Sequence, residues 1–389
     1  MENNILSEDL EGVISLLKTK DPKLTAGPKV REFEELWSKW LGCKYSVFVN
    51  SGSSSNLMAI CYLKLIYPKG GKIIIPPLTW SSDIASIIHM GFEPLFIDIK
   101  LSNLAIDPVK LEDELKKEDD ILAVFLTHAQ GLNGLPQETI DLCKKYKVHL
   151  IEDVCESHGV LLDSGEKAGT IGLMSCFSFY YAHHMSTIEG GMVCTNDKKV
   201  YDSLKMMRAH GLLREVDNND MKNDFTDNYP DLNPQFIFTL PGFNFRNNEI
   251  GALIGINQLK RLDLMIKKRI ENFEYFVSKL PYWAFKDFNL KGQSNYAFNL
   301  ILNEPDNDLM KKLESILHNN NIEFRRGSAG GGNQLRQPYL DTFVKSKNIN
   351  PKLDYPVADH VHFYGMYIGN FPTLKKEKID WLIQVINNV

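Results

Sequence analysis

A chain of 389 residues is too long for one small core and fits a large domain with a smaller partner. Hydrophobic residues make up 43% and charged residues 24%, the balance of a soluble globular enzyme. A net charge of -5 without any basic run gives nucleic acid no electrostatic footprint to follow. The opening residues, Met1-Glu2-Asn3-Asn4-Ile5, show no charged region leading into an apolar stretch, so no secretory leader is expected. No apolar run approaches the length of a membrane span. The nearest two of the six cysteines (Cys43, Cys61, Cys143, Cys155, Cys176, Cys194) are twelve positions apart, 155 − 143. That spacing opposes a zinc or iron–sulfur centre built on a CxxC unit, so no metal is expected, and the chain reads as reduced and cytoplasmic.

In chain order, helical spacing over Arg31–Leu41 is followed by a short apolar strand, Tyr45–Val49. Helix Ser54–Leu65, strand Lys72–Ile75, helix Ser82–His89 and strand Pro94–Ile97 come next. Helix Pro108–Lys117, strand Ile121–Leu126, helix Gln137–Tyr146 and strands His149–Ile151 and Cys176–Phe179 complete the series. Such alternation predicts a mainly parallel sheet covered by helices on both faces. Ligands on sheets of this kind sit at the carboxyl ends of the strands. The stretch 217–234, rich in Asn, Asp and Pro, reads as a long loop. From Leu262 the texture changes to a helix over Asp263–Leu280, a strand over Ala297–Leu302 and a helix over Asp308–Asn319. The domain boundary is set there, with 1–262 as the large domain and 263–389 as the small one.

Three strand ends carry candidate chemistry. Ser51-Gly52-Ser53-Ser54 follows a strand and opens a helix, where N–H groups and hydroxyls can receive an anion. An ordinary Ser-capped helix start accounts for the same residues. Glu152-Asp153 ends a strand and offers a carboxylate to a cationic ring nitrogen, or merely a helix cap. Trp80 can stack on a flat ring or simply pack in the core. No GxxxxGK[ST] or GxGxxG pattern supports a nucleotide or dinucleotide fold.

Ser178-Phe179-Tyr180-Tyr181-Ala182-His183-His184, running on to Glu189-Gly190-Gly191, decides among these readings. With Gly27-Pro28, Phe33-Glu34, Ser51-Gly52, Thr79-Trp80 and Glu152-Asp153 it resembles the DegT/DnrJ/EryC1/StrS sugar aminotransferase family. The resemblance continues through Arg208-Ala209-His210-Gly211, Gly242-Phe243-Asn244-Phe245-Arg246 and Gln258-Leu259-Lys260-Arg261-Leu262. It implies a fold-type-I, PLP-dependent aminotransferase architecture: α/β, with a mainly parallel seven-stranded sheet and a smaller C-terminal α/β domain. In that family the lysine holding the cofactor covalently stands four residues after the strand-end Phe, and here that residue is His183. Imidazole forms no lasting imine, so the resemblance narrows to PMP-dependent 3-dehydratases of nucleotide-linked 4-keto-6-deoxy sugars, GDP-linked ones among them. An ordinary sugar aminotransferase and an inactive cofactor-binding protein are the competing readings.

What the resemblance implies can be carried over residue by residue. The cofactor is pyridoxal 5'-phosphate or pyridoxamine 5'-phosphate, bound non-covalently, with Asp153 at the ring nitrogen and Trp80 on the ring. Ser53, Ser54 and Ser178, with Asn244 of the partner subunit, hold its phosphate, which implies an obligate homodimer. Glu156 replaces a glutamine common beside the ring in the aminotransferases. His183 is the acid–base group, and its neighbour His184 the competing candidate, on the argument that adjacent side chains of an extended segment point opposite ways. His184, His210, Arg246, Arg325, Arg326 and Arg336 are candidate contacts for the nucleotide sugar and for L-glutamate, the expected amino donor. Arg325-Arg326, with the Gly330–Gly332 run, has a flexible connection bearing solvated charges as its alternative.

Overall fold

A computed structural model describes residues 4–389; Met1 to Asn3, the first part of the stretch searched for a leader, lie outside the described residues. Its strands are β1 (Tyr45–Val49), β2 (Lys72–Ile75), β3 (Glu93–Phe96), β4 (Ile99–Lys100), β5 (Ala105–Ile106) and β6 (Ile121–Thr127). They continue as β7 (His149–Asp153), β8 (Met174–Ser178), β9 (Gly191–Thr195), β10 (Ala297–Ile301), β11 (Phe324–Arg326) and β12 (Gly365–Gly369). A seven-stranded sheet follows the order β1-β9-β8-β7-β6-β2-β3. Strand β2 runs parallel to β3 and β6, and β6 parallel to β7. Strand β9, which the periodicity did not announce, runs antiparallel to both β1 and β8. A second sheet, β10-β12-β11, is antiparallel. No helix among the described residues is long and apolar enough to cross a membrane.

The expected loop over 217–234 is corrected: it contains a helix, Asn219–Asn228, capped by Asn218, whose side chain accepts from the Met221 N–H at 3.1 Å. None of its residues is fully buried, and its apolar face is only Met221 and Phe225, partly buried against Met206, Leu213, Val216 and Ile237, too short a stripe to read from sequence.

Backbone contacts divide the chain into two units, one formed by Gly71–Ala168 with Leu262–Val389, the other by the described residues up to Gly70 with Gly169–Arg261. Leu262, where the texture of the sequence changes, is one of these borders. In the first unit Phe273, Phe276, Phe298, Leu313 and Ile386 pack with Leu78, Leu104 and Ala129 into one apolar cluster. The second unit is built on aromatic rings. Phe33 meets Phe48 edge-on at 5.0 Å, and Trp37 meets Phe177 at 5.1 Å and Phe179 at 4.8 Å.

Polar groups then fix the edge of that aromatic core. Glu34 accepts from the Phe48 N–H at 2.8 Å, Arg208 donates to the Phe48 carbonyl at 2.8 Å, and the two side chains pair at 2.5 Å. The N–H and carbonyl of Phe48 on the edge strand β1 are thus satisfied by a buried ion pair, and another chain cannot pair with them. Gly27-Pro28 opens the helix Pro28–Leu41, and Glu249 accepts from the N–H groups of Lys29 (3.0 Å) and Val30 (2.9 Å). A carboxylate at a helix start is the favourable sign of charge.

Phe179 is fully buried and links this cluster to the chain that leaves β8. Phe179→Ala should lower unfolding stability by about 3–5 kcal/mol, read as a fall in the urea midpoint at constant slope. A loss below about 1 kcal/mol would show that the ring does not anchor this segment.

Candidate active site

The carboxyl ends of β6 and β7 assemble a buried acidic group within the first unit. Asp153 ends β7, is 3% exposed, and accepts from the Cys155 N–H at 2.8 Å. Beside it in β7, Glu152 is fully buried and receives His128 Nε2–H at 3.2 Å. The tautomer follows from the other nitrogen, since His128 Nδ1 accepts from the Gly134 N–H at 3.1 Å. Asp83, on the first turn of helix Ser81–His89, is fully buried and its Oδ2 accepts from Thr79 Oγ1. Desolvation, then the charge of Asp153, pushes the Asp83 carboxyl well above the ordinary carboxylate range. A helix start favours a charged acid by only about 0.3–1 kcal/mol, whereas a second unpaired buried charge costs several.

Glu156 is half-buried, and its Oε2 accepts from the Gln130 N–H at 3.1 Å. Desolvation pushes its carboxyl up to about 7 despite that hydrogen bond. Gln130 holds a left-handed backbone, φ 57, and its fully buried amide nitrogen and oxygen find no partner among the described residues. Trp80 stands at the N-cap of helix Ser81–His89 and remains 53% exposed, so the core-packing alternative does not describe it. The segment leading to it is braced by the glycine run. Leu78 bridges Asn333, Gln334 N–H donates to the Pro77 carbonyl at 2.8 Å, and a Cβ on Gly330 would stand 2.3 Å from the Thr79 carbonyl oxygen.

The second unit carries the hydroxyls and the histidines. Ser51 caps helix Gly52–Ile66 by accepting from the Ser54 N–H at 3.0 Å, while Ser53 stays exposed. The capping reading and an anion-binding reading are thus compatible, because different serines serve them. A Cβ on Gly191 would lie 2.2 Å from the Ser51 carbonyl oxygen, so only glycine lets β9 approach this turn. Ser178 ends β8, and its Oγ accepts from the Tyr180 N–H at 3.3 Å.

His183 lies in the excursion between β8 and β9, which is closed at its neck by Phe179 N–H to the Gly190 carbonyl (2.9 Å) and Thr187 N–H to the Phe179 carbonyl (3.0 Å). Asn4 donates to the carbonyls of Tyr181 (3.3 Å) and His183 (3.4 Å), and Gln258 accepts from the Ser186 N–H at 2.9 Å. The extended segment expected here is corrected. His183 N–H donates to the Tyr180 carbonyl at 3.0 Å, closing a tight turn, so strand-like alternation does not separate the two histidines. Burial does: His184 is 5% exposed, while His183 is half-buried. Nearby Ile188 holds φ 71, a costly conformation for a β-branched residue.

The remaining candidates are more scattered. His210 is exposed at φ 63, its N–H donating to the Phe243 carbonyl at 2.6 Å. Asn244 is exposed and bridges Ala209, between the stacked rings of Phe243 and Phe245. Arg246 is half-buried and bridges Val49. The other three arginines have carboxylates of their own unit. Arg325 pairs with Glu323 at 2.6 Å, Arg326 with Glu314, and Arg336 grips the buried Asp359 through two bonds of 2.8 and 2.9 Å. The fork–carboxylate pair gives Arg336 a structural role. Asp83 and Gln130 were missed in the sequence: an acid in a helix's first turn and a glutamine after a strand give no local signal.

Within the first unit a buried carboxylate and an open indole are groups that fit a flat, cationic ring, and within the second unit hydroxyls at a helix start are groups that fit a phosphate. Residues 4–387 match the model of the DegT/DnrJ/EryC1/StrS aminotransferase family. The chain belongs to that family. It is 32% identical to a GDP-4-keto-6-deoxy-D-mannose 3-dehydratase of Escherichia coli O55:H7, with 97% of each chain covered. Identity to a Campylobacter jejuni UDP-4-amino-4,6-dideoxy-N-acetyl-beta-L-altrosamine transaminase is also 32%, over 81% of this chain and 79% of the relative. The E. coli 3-dehydratase structure with bound hydrated PLP superimposes with a TM-score of 0.85 at 29% identity, covering 99% of this chain and 98% of that one. The fold is thus the PLP-dependent aminotransferase fold.

Glu156 holds its proton in the folded family member up to about pH 7 but releases it near 4.5 when unfolded. Folding therefore binds a proton in that window, and stability falls as pH rises through it and levels off above. In the cofactor-free protein, Glu156→Gln should remove this slope, raising Tm relative to the parent more at about pH 8 than at about pH 5. Equal differences at the two pH values would show that Glu156 titrates normally.

Proposed function

We propose that this protein is a PMP-dependent 3-dehydratase that removes the C3 hydroxyl of a nucleotide-linked 4-keto-6-deoxy sugar, GDP-linked by default. The observation that carries the reading is His183, four residues after the strand-end Phe179, where the family's aminotransferases have a lysine. Near-complete coverage of both chains in the comparison with the E. coli 3-dehydratase supports it. When bound, the cofactor supplies the amine that engages the sugar ketone and the electron sink that weakens the C3–O bond.

The rest of the chemistry falls to side chains. Asp153 holds the ring nitrogen, Trp80 covers the ring face, and Glu156 lies beside the ring. Ser53, Ser54, Ser178 and Asn244 of the partner subunit hold the phosphate, which makes the enzyme an obligate homodimer. His183 cannot retain the cofactor covalently. Its imidazole takes a proton from C4' of the cofactor and delivers one to the departing C3 hydroxyl, tasks suited to an ordinary pKa of about 6.5. L-glutamate restores the amine form at each turnover, and ammonia leaves with the deoxygenated product.

Incubation with GDP-4-keto-6-deoxymannose, glutamate and cofactor should give a sugar nucleotide lighter by one oxygen atom by mass spectrometry, with 2-oxoglutarate and ammonia in equal amount. An amino sugar formed without ammonia would instead make the protein a transaminase, like the Campylobacter relative. Cofactor binding with neither product would leave an inactive binding protein.

His183→Asn should retain the cofactor yet slow dehydration about 10²-fold or more, while His184→Asn is much milder. Near-normal turnover in the first variant with collapse in the second would move the acid–base role to His184.

A further inference from the structure

We infer that a cavity beside the outer edge of β1 is a further anion site, suited to the phosphate group of a small ligand, with Asp217 as the resident carboxylate that this ligand displaces. The cavity has a volume of about 540 Å³, within the roughly 300–1,000 Å³ typical of small-molecule sites. Every lining residue belongs to the second unit, and none is a candidate contact for the cofactor or the sugar. One wall is the helix Lys198–Arg208, which contributes Tyr201, Lys205 and Arg208 at helical spacing. Arg31, Lys44 and Arg214 add three more cations. Against the carboxylates of Glu34, Glu35, Glu215 and Asp217, five positive charges meet four negative ones, a net of +1 (5 − 4).

These charges are unevenly paired. Arg208 and Glu34 are both buried and bound to each other at 2.5 Å. Arg214 donates to the Gln235 carbonyl at 3.2 Å and stands 3.9 Å from Glu215. Lys205 differs: its side chain is only 11% exposed, yet that of its partner Asp217, at 2.9 Å, is 83% exposed. A buried ammonium is costly without a counter-ion, whereas an exposed carboxylate gains little from pairing. Lys205 therefore needs an anion, and Asp217 is an exchangeable one. Arg31 and Lys44 form no ion pair, and the Tyr201 hydroxyl no hydrogen bond, among the described residues. Solvated surface charge accounts for Arg31 and Lys44 taken singly, but not for a buried lysine lining the same cavity. One carboxylate answers one cation. A guanidinium, two ammoniums and a hydroxyl around one cavity suit the several oxygens and double charge of a phosphate group.

Inorganic pyrophosphate, titrated calorimetrically into the full chain loaded with PLP, tests this with the cofactor's own phosphate site filled. Binding should be measurable at low salt and weaken steeply as salt rises. Lys205→Gln should lower the affinity about tenfold and Lys44→Gln about threefold. Asp217→Asn acts in the opposite sense: without the resident carboxylate, pyrophosphate should bind about threefold more tightly. A merely structural Lys205–Asp217 pair would not move binding in opposite directions when either half is changed. Absence of binding in both the parent and Asp217→Asn would overturn the inference. So would an Asp217→Asn protein weakened like Lys205→Gln, or an affinity that neither lysine variant alters. Should Lys205→Gln fail to fold, Lys44→Gln and Asp217→Asn decide by the same criteria. ADP in place of pyrophosphate separates the sources of the phosphate group. Equal affinity supports a free polyphosphate as the ligand, and tighter binding that still depends on Lys44 and Lys205 supports an organic phosphate.

Discussion

Asp83 is fully buried within reach of the charge of Asp153, and burial with that charge pushes its carboxyl well above the ordinary carboxylate range. Carboxyls taken out of water need hydrogen-bond donors, and each here has one: a backbone N–H for Asp153 and a threonine hydroxyl for Asp83. Strand register supplies this company, because Thr127 of β6 is the partner of Asp153 in β7. The glycine run at 330–332 belongs to the same arrangement. Its close approach to Thr79 holds the segment from which Trp80 projects, and any side chain at Gly330 would push that segment away.

The second unit solves a different problem, that of holding the turn that carries His183 without burying it. The excursion between β8 and β9 is tied at its neck by two backbone hydrogen bonds and from outside by Asn4 and Gln258. Phe179, at the neck, is packed among Phe33, Trp37 and Phe48. Rigid ends and a half-buried middle suit an acid–base group, which must stay in register yet reach a bound molecule. The left-handed backbone of Ile188 is part of what this closure costs.

The family's motifs thereby acquire separate physical meanings. Gly27-Pro28 is a helix start whose N–H groups face Glu249, and Glu34 with Arg208 seals an exposed sheet edge. Gln258 and Arg261 steady the His183 turn and the N-terminal segment, the latter through the buried Asp9. These residues would be legible as important from any comparison of sequences, yet none of them touches the reacting atoms in the reading offered above. Their role is to make the local geometry around His183 and β1 unique.

The sequence by itself determined most of the sheet and the family to which the chain belongs. Strands β1 and β2 and the helices over 108–117 and 137–146 begin and end where periodicity set them, because contiguous apolar runs and amphipathic stripes are local properties. Replacement of a lysine by His183 was legible for the same reason: what an imidazole can and cannot do is carried by the residue. Helix Asn219–Asn228 escaped because its apolar contacts are only the partly buried Met221 and Phe225, and β9 because it opens on Gly191 after Gly190, a residue type depleted in strands. Only the tertiary structure decided which charges are spoken for. Arg336 looked available to an anion until Asp359 was found in its fork, and Asp83 looked like an ordinary first-turn acid until it met Asp153. Protonation state and availability depend on neighbours brought together through space, and no local pattern in the chain records who those neighbours are.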